Sequence, residues 1–564
     1  MAGTRLQIVG AFALFALLAA PVAWHLTRVE RVRLPLSRIQ QLSWQTSRFG
    51  GPEHFQVDVY SFSSSSRRSS LGSSSSNVAY FTRNLQLSAQ DRETMHASVR
   101  SGPQAADDAL ETLVPTLDKR FRVFLLCDEN MATRLTPSLT VGKYRHAWSF
   151  QCQVETGDAM HMAIEKLMQS HVYPQLGDKK SGERDRAAKT ARRALQYRLR
   201  FSLLKENPMT PWNEELQTLV DSYMGRFVQK VEAVADFTVE TEVVHYARLA
   251  KEIQPSAEET AAFYIDADDL KHFKSANDYL GASVLDDREQ VLHFMAALPD
   301  SVHAPLYIRS RDQEQSERGL ATSFELPQWG IAVILNPFAF TCNSTGDASS
   351  SDAAALDIKN RELQRVMGLF VSEFRTLLGL PSFLYRQQEE DAASGGVSRR
   401  QLLFLPSPAD GVAEWELDVV MRERFATLMT SAIETLRSTV ELVEALPELS
   451  VLERVQTRVE TAVARLEAIL CDASSRAQLH DCVDASDLHR LLAMARQASE
   501  MTDAAYYDHT MIRQLYFPQE QMVGVYAPLV APLVLPFLLG LVRELKRYKA
   551  KRAAKRAATR PKTA

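Results

Sequence analysis

The chain has 564 residues, of which 45% are hydrophobic and 24% charged. That is the composition of a folded globular protein, and it excludes both wholesale disorder and a multi-spanning membrane bundle. A formal net charge of -4 conceals an asymmetry: residues 543–564 hold ten Lys or Arg against the single acid Glu544, a balance of +9, so the rest of the chain carries -13. A body that acidic excludes nucleic acid as a partner, because phosphate contacts need clustered positive charge.

In chain order, residues 1–5 precede an uncharged apolar run from Leu6 to Leu26, LQIVGAFALFALLAAPVAWHL. It exceeds the hydrophobic stretch of a signal peptide, and Pro21 with Ala23 makes a weak cleavage site, so the expectation is an uncleaved transmembrane helix over 6–26 with 1–5 cytosolic. Residues 27–350 read as an α/β domain. Its serine-rich insert, SFSSSSRRSSLGSSSS over 61–76, buries too little apolar surface to fold and is expected to be disordered.

Phe121–Cys127 (FRVFLLC) reads as a strand, Asp158–Ser170 as a helix, and the following basic run KKSGERDRAAKTARR as a solvated helix or loop. In YRLRFSLL the residues Tyr197, Leu199, Phe201 and Leu203 alternate on one side, which predicts a half-buried strand. A helix over Trp212–Ala235 and a strand over Phe237–His245 follow, then buried strands in PLYI (Pro305–Ile308) and WGIAVILNP (Trp329–Pro337). Strands alternating with helices predict a mixed α/β sheet flanked by helices.

From about Ala353 the pattern becomes helical. Leu363, Val366, Met367, Phe370, Phe374, Leu377 and Leu378 recur at i, i+3, i+4 and i+7, and Trp415–Leu446, Ser450–Cys471 and Ser486–Thr502 are three more helical patterns. Residues 351–521 therefore read as a helical subdomain. No internal repeat is visible in the sequence.

The second uncharged run, MVGVYAPLVAPLVLPFLLGLV over 522–542, is 21 residues long, enough to cross a hydrocarbon core of roughly 30 Å. Pro528, Pro532 and Pro536 lie in it at i, i+4 and i+8, on one face, and suggest a contact surface for another helix. The basic tail 543–564 is expected on the cytosolic side. Two spans then place both termini in the cytosol and the region between them in a lumen. The sequon Asn343-Ser344-Thr345 accords with that placement, as an N-glycosylation site in a polar loop. Of the five cysteines (127, 152, 342, 471 and 482), Cys471 and Cys482 are the nearest couple in sequence and a candidate disulfide; five is odd, so at least one thiol is free or bonded to another chain.

The sequence shows no HExxH, no CxxC, no GxSxG and no GxxxxGK[ST]. His480 and His489 flank Cys482 without a full ligand set, and Cys127 with His146 or His161 is conceivable as a nucleophile pair. The triplet Asp266-Ala267-Asp268 mimics the paired carboxylates with which a glycosyltransferase holds a hard cation and a sugar nucleotide. Acidic triplets are common in loops, and the expectation is that no metal and no cofactor is bound.

Taken together, RLPLSRI after the first apolar run, YRLRFSLLKENP, FTVETEVVHYARL followed by YIDADDL, APLYIRSRD, LPQWGIAVILNP, RVMGLFVSEFRTLLGL, WELDVVMRERF and IRQLYFPQEQMVGVYAPLVAPLVLPFLLGLV resemble the PIG-S family of glycosylphosphatidylinositol (GPI) transamidase subunits, in order and over nearly the whole chain. The resemblance implies a non-catalytic, two-pass subunit of an endoplasmic reticulum membrane complex, with its body in the lumen. That complex joins a GPI lipid to the new carboxyl end of a precursor protein. It implies partners in the other subunits, among them a caspase-like cysteine peptidase that carries the catalytic cysteine, and in the precursor proteins. It carries no catalytic residue to this chain. The two rival readings from the residues are a membrane-anchored lumenal glycosyltransferase using Asp266 and Asp268, and a lumenal chaperone adapter.

Overall fold

Two stretches of apolar and alternating sequence, one before residue 150 and one after residue 195, each build a sheet. The computed structural model describes residues 11, 14, 18, 32–44, 55–61, 78–84, 87–114, 120–126, 139–149, 157–173, 194–209, 216–247, 253–255, 262–266, 289–309, 321–326, 329–336, 348–380, 402–407, 410–445, 451–471, 487–513 and 519–558. Contacts divide the chain into two units. One comprises Gln45–Thr427 and Val483–Ala493, the other Met1–Trp44, Leu428–Cys482 and Met494–Ala564.

The first unit contains all the strands found among the described residues. These are β1 (Gln56–Ser61), β2 (Ala79–Asn84), β3 (Phe121–Leu125), β4 (Leu139–Val141), β5 (His146–Ser149), β6 (Gln196–Lys205), β7 (Asp236–His245), β8 (Gln254–Pro255), β9 (Phe263–Asp266), β10 (Glu289–Leu298), β11 (Leu306–Arg309), β12 (Ser323–Leu326), β13 (Gly330–Ile334) and β14 (Leu402–Phe404). Sheet one runs β14-β4-β5-β3-β1-β2, sheet two β12-β13-β10-β6-β7, and a small third sheet β11-β9-β8. The α/β class with mixed sheets and helices agrees with the expectation from sequence.

The two large sheets are wound identically. In each, the first strand pairs in parallel with the second on one side and the third on the other: β1 with β2 and β3, β6 with β7 and β10. A hairpin follows, and its second arm joins the third strand in parallel while its first arm lies antiparallel outside: β4–β5 on β3, β12–β13 on β10. A helix comes next in both, Gly157–Leu167 after sheet one and Ala348–Leu377 after sheet two. The molecule thus carries a topological repeat that its sequence does not display. Sheet one differs in gaining β14, parallel to β4.

Strand β6 departs from the half-buried reading. Tyr197, Leu199, Phe201 and Leu203 are buried as the alternation requires, but Arg200, Ser202, Leu204 and Lys205 are buried too. The polar face is closed by cross-strand partners. Arg198 meets Glu240 at 2.9 Å and Glu289 at 2.7 Å, Arg200 meets Glu240 at 3.3 Å, and the Ser202 hydroxyl donates to Glu242 at 2.6 Å. On the opposite face Phe201 stacks on Phe294 at 4.9 Å, and Phe370 and Phe374 of the helix Ala348–Leu377 approach Phe294 at 5.7 and 5.9 Å. Phe227 of the helix Leu216–Val231 packs edge-on to Phe374 at 5.1 Å. Each such ring contributes about 1.5–3 kcal/mol through burial alone. Sheet one buries Val57, Val59, Phe121 and Val123 against Ile164, Leu167 and Met168, and against Trp415, whose indole N–H donates to the Gly142 carbonyl at 3.0 Å.

In the second unit, the helix Glu453–Ile469 buries Val455, Val459, Ala462, Val463 and Leu466 along one stripe. Arg38, on the helix Leu36–Gln41, grips Glu467 with both nitrogens at 2.9 and 2.6 Å, and Arg437 donates to the Leu42 carbonyl at 3.1 Å. Asp508 accepts from Arg454, Arg458 and Thr510. Burial alone would raise its carboxyl, but these donors hold it well below the usual carboxylate range.

The helix Gln519–Ala558 runs 40 residues without a break and contains Pro528, Pro532 and Pro536, all exposed. Leu535, Leu538, Leu539 and Val542 are exposed on it as well. Among the described residues, no helix is long and apolar enough to cross a membrane. Most of the 6–26 run and of the serine-rich segment lie outside the described residues.

Gly330 opens β13 at φ +144°, where an added Cβ would fall 1.8 Å from the His293 carbonyl oxygen. Gly330→Ala is therefore expected to cost about 3 kcal/mol in chemical denaturation of the detergent-solubilised chain. A loss below about 1 kcal/mol would contradict the assigned β10–β13 register.

Candidate functional site

In a doubly wound sheet, ligands bind beyond the carboxyl ends of the strands where successive connections leave in opposite directions. In sheet two that point lies between β6 and β10. The residues there are Lys205, Glu206 and Asn207 after β6, and Asp300 with the turn Ser301–His303 after β10. One Glu206 oxygen accepts the Asp300 backbone N–H at 2.8 Å, and the other meets His303 Nδ1 at 2.8 Å. The Glu206 N–H donates to the Leu298 carbonyl at 3.1 Å. Asn207 donates to Asp300 at 3.3 Å, and the buried Lys205 ammonium donates to the Pro208 carbonyl at 3.0 Å. Beyond β13, the buried Asn336 amide bonds both the N–H and the carbonyl of Leu306, at 3.0 and 2.8 Å, and so acts as one rung of a ladder between β13 and β11.

A carboxylate–imidazole pair can shuttle a proton, but here both Glu206 oxygens also serve to bind the two strand ends together. These bonds join the two strand ends across the crevice. In sheet one the matching point lies between β1 and β3, and the residues following Ser61 and Leu126 are outside the described set.

The second polar cluster surrounds the β4–β5 hairpin. His146 is fully buried, with Nε2 at 2.8 Å from Asp107 Oδ1 and Nδ1 facing Glu111 at 3.5 Å, the latter too long for a strong hydrogen bond. Arg122 holds Glu111 at 2.7 Å. Asp107 also accepts the Lys143 N–H at 3.0 Å, so close to Gly142 that a Cβ there would fall 1.8 Å from Asp107 Oδ1. Lys143 and the Tyr144 hydroxyl both reach Asp108, at 2.6 and 2.9 Å. Arg145 binds Asp418 at 2.6 Å and Glu414 at 2.8 Å on the helix Glu414–Ala445. Every residue from Gly142 to His146 is thus tied to the helix Pro103–Leu113 or to the start of the helix Glu414–Ala445. His146 itself has no exposed surface, and the cluster clamps these elements together.

Of the described residues singled out by sequence, His146 lies in this second cluster and the others fall elsewhere. Asp266 ends β9, opposite Arg309 in the register with β11, while Asp268, Asn343, Cys127 and Cys482 lie outside the described residues. Cys471 is disulfide-bonded. His489 is exposed on the helix Leu488–Tyr506. No group of three or more His, Cys, Asp or Glu that could hold a metal occurs among the described residues. Sequence reasoning missed Glu206, His303, Asp107 and Asn336. The signal for Glu206, His303 and Asn336 was position after β6, β10 and β13, of which β10 does not read as a strand, and Asp107, inside the helix Pro103–Leu113, had no such signal.

Two identically wound sheets, a switch point whose polar groups bond strand ends, and a helical unit together define a mixed α/β protein. A family model described as PIG-S, phosphatidylinositol-glycan biosynthesis class S protein, matches residues 10–551. The chain belongs to the PIG-S family. It is 26% identical over 383 residues to the GPI-anchor transamidase component PIGS of Homo sapiens, covering 67% of this chain and 61% of that protein. It is 24% identical over 353 residues to the GPI transamidase component PIG-S homolog of Schizosaccharomyces pombe, covering 60% and 52%. Against the GPI transamidase component GPI17 of Saccharomyces cerevisiae it is 20% identical over 320 residues, covering 56% and 52%. The aligned region spans less than two thirds of each relative's own length.

Burial opposes protonation of His146, but Asp107 and Glu111 outweigh both that cost and the repulsion of Arg122, and the imidazole is held above its ordinary value. Because the folded value is the higher one, the cluster stabilises fully below the unfolded value of about 6.5 and loses its contribution as pH rises through the folded value. Chemical denaturation of the solubilised chain should therefore show stability falling from pH 6 upward, and that slope should flatten in His146→Gln. An equal slope in both proteins would refute the assignment.

Proposed function

We propose that this chain is a non-catalytic structural subunit of a GPI transamidase, supporting attachment of GPI anchors to precursor proteins in the lumen of the endoplasmic reticulum. The carrying observation is the family match over residues 10–551, joined by relatives that are each named as transamidase components. The geometry supports the same reading: the polar groups at the described switch point are engaged with strand ends, and the buried His146 cluster ties elements together.

The apolar runs 6–26 and 522–542 serve as membrane anchors, with 1–5 and 543–564 in the cytosol and the body in the lumen. The exposed leucines of the helix Gln519–Ala558 support this, since side chains such as Leu535 and Leu539 on a rod about 60 Å long gain from contact with hydrocarbon. Pro528, Pro532 and Pro536 mark the face of that helix available to another subunit's helix. The basic stretch after Val542 sits against anionic headgroups and fixes depth. Anchoring at both ends raises the effective concentration of the body for other anchored subunits without any new contact.

Purification of the tagged full chain in mild detergent is expected to recover a caspase-like cysteine peptidase in fixed proportion. Cells lacking the chain should accumulate complete GPI lipid together with unprocessed precursors. Asn343→Gln should abolish any glycosidase-sensitive mobility shift of the chain. Recovery of the chain without any peptidase, or turnover of a substrate by the chain alone, overturns the proposal.

A further inference from the structure

Strand β7 closes one side of sheet two, and among the described residues nothing pairs with its outer side. Its direction can be read from one bond: the Asp236 N–H donates to the Leu195 carbonyl at 3.2 Å, and Asp236 stands opposite Gln196 in the parallel register. In a parallel ladder alternate residues bond to the same neighbour. Asp236, Thr238, Glu240, Glu242 and Val244 therefore spend their backbone groups on β6, while Phe237, Val239, Thr241, Val243 and His245 aim theirs outward. Ten residues run before Tyr246, which has φ +58°, and beyond it the Ala247 N–H still donates to the Lys205 carbonyl at 3.0 Å.

Long edge strands are ordinarily guarded by lysine, proline, a bulge or an inward charge. The sequence DFTVETEVVH has neither lysine nor proline. Its charged residues besides Asp236 are two glutamates that lie against Arg198, Arg200 and Ser202 of the neighbouring strand, a guard against a like-charged strand but not against a basic one. The other described edges are shorter: six residues in β2, four in β12 and in β11, three in β14 and two in β8. Val243 and Tyr246, at the end of the strand, are 47% and 77% exposed.

We propose that β7 is a strand-addition site that receives an extended segment of a different polypeptide within the assembly, carrying Lys or Arg at alternate positions on the glutamate face. This rests on the subunit reading given above. Charge selects the partner. On that face Glu240, Glu242 and Glu289 outnumber Arg198 and Arg200, with Asp236 at the strand's start. A second copy pairing antiparallel through the strand centre would set Glu240 against Glu240 or Glu242 of the other copy, and like charges directly opposite destabilise a sheet. A basic strand gains both the backbone bonds and the pairing.

The test is residue-resolved amide exchange on the full chain, alone and in the detergent-purified assembly. The amides of Val239, Thr241 and Val243 are expected to exchange at least ~100-fold more slowly in the assembly. Val243→Lys, a guard at an exposed position, and Val239→Pro, which removes an outward donor and leaves the β6 ladder whole, should each weaken retention of partner subunits about tenfold. If partner subunits co-purify while these amides exchange as fast as in the lone chain, the edge proposal fails and the subunit reading stands. If protection arises in the lone chain through self-association seen by light scattering, the proposal of a different polypeptide fails. If no partner co-purifies, the subunit reading itself fails.

Discussion

Covering both faces of a parallel strand is the constraint on which this structure depends. Parallel neighbours cannot be joined by a tight turn, so nothing local holds β6 beside β7 and β10. What holds them is the aromatic layer of Phe201, Phe294, Phe370, Phe374 and Phe227 on one side and the arginine–glutamate ladder on the other. The ladder is costly to desolvate and survives because each charge has a partner of opposite sign within hydrogen-bond reach. Without it, the buried Arg200 would be an unpaired cation in the sheet. The polar ladder and the aromatic core are two halves of one solution.

The same logic explains why the crevice of sheet two is occupied by the protein's own side chains. Strand ends without local turns need to be tied, and Glu206, Asn207, Asp300, His303 and Asn336 tie them. The Glu206 carboxylate and the Asn336 amide each bond a backbone N–H of the neighbouring segment.

Much of this was legible in the residues. The strands at Phe121–Leu125, Gln196–Lys205, Asp236–His245, Leu306–Arg309 and Gly330–Ile334 were marked by apolar alternation or β-branched runs, and the long helices by their i, i+3, i+4, i+7 periodicity. Strand β10 was not. Its sequence EQVLHFMAAL is rich in residues that favour helices, and only burial between two parallel neighbours makes it a strand. The alternation in β6 correctly told which residues face the aromatic core, yet it could not tell that the polar side was also covered, since that depends on glutamates 40 and more residues away. The repeat in winding was hidden because backbone topology tolerates complete replacement of side chains. The clamp at Asp107 and His146 joins residues 39 apart and has no local pattern to betray it.

Strand β14 carries a consequence for synthesis. It pairs with β4 through Leu402 and Leu139, 263 positions apart, and the Trp415 and Arg145 contacts on the same hairpin are equally remote. A ribosome delivering about 5–20 residues per second needs roughly 13–50 s to make that interval. Sheet one must therefore wait with its β4 side bare while the whole of sheet two emerges and packs. The nascent chain is most in need of a chaperone during that delay, and the first-made half of the molecule is the last to be completed.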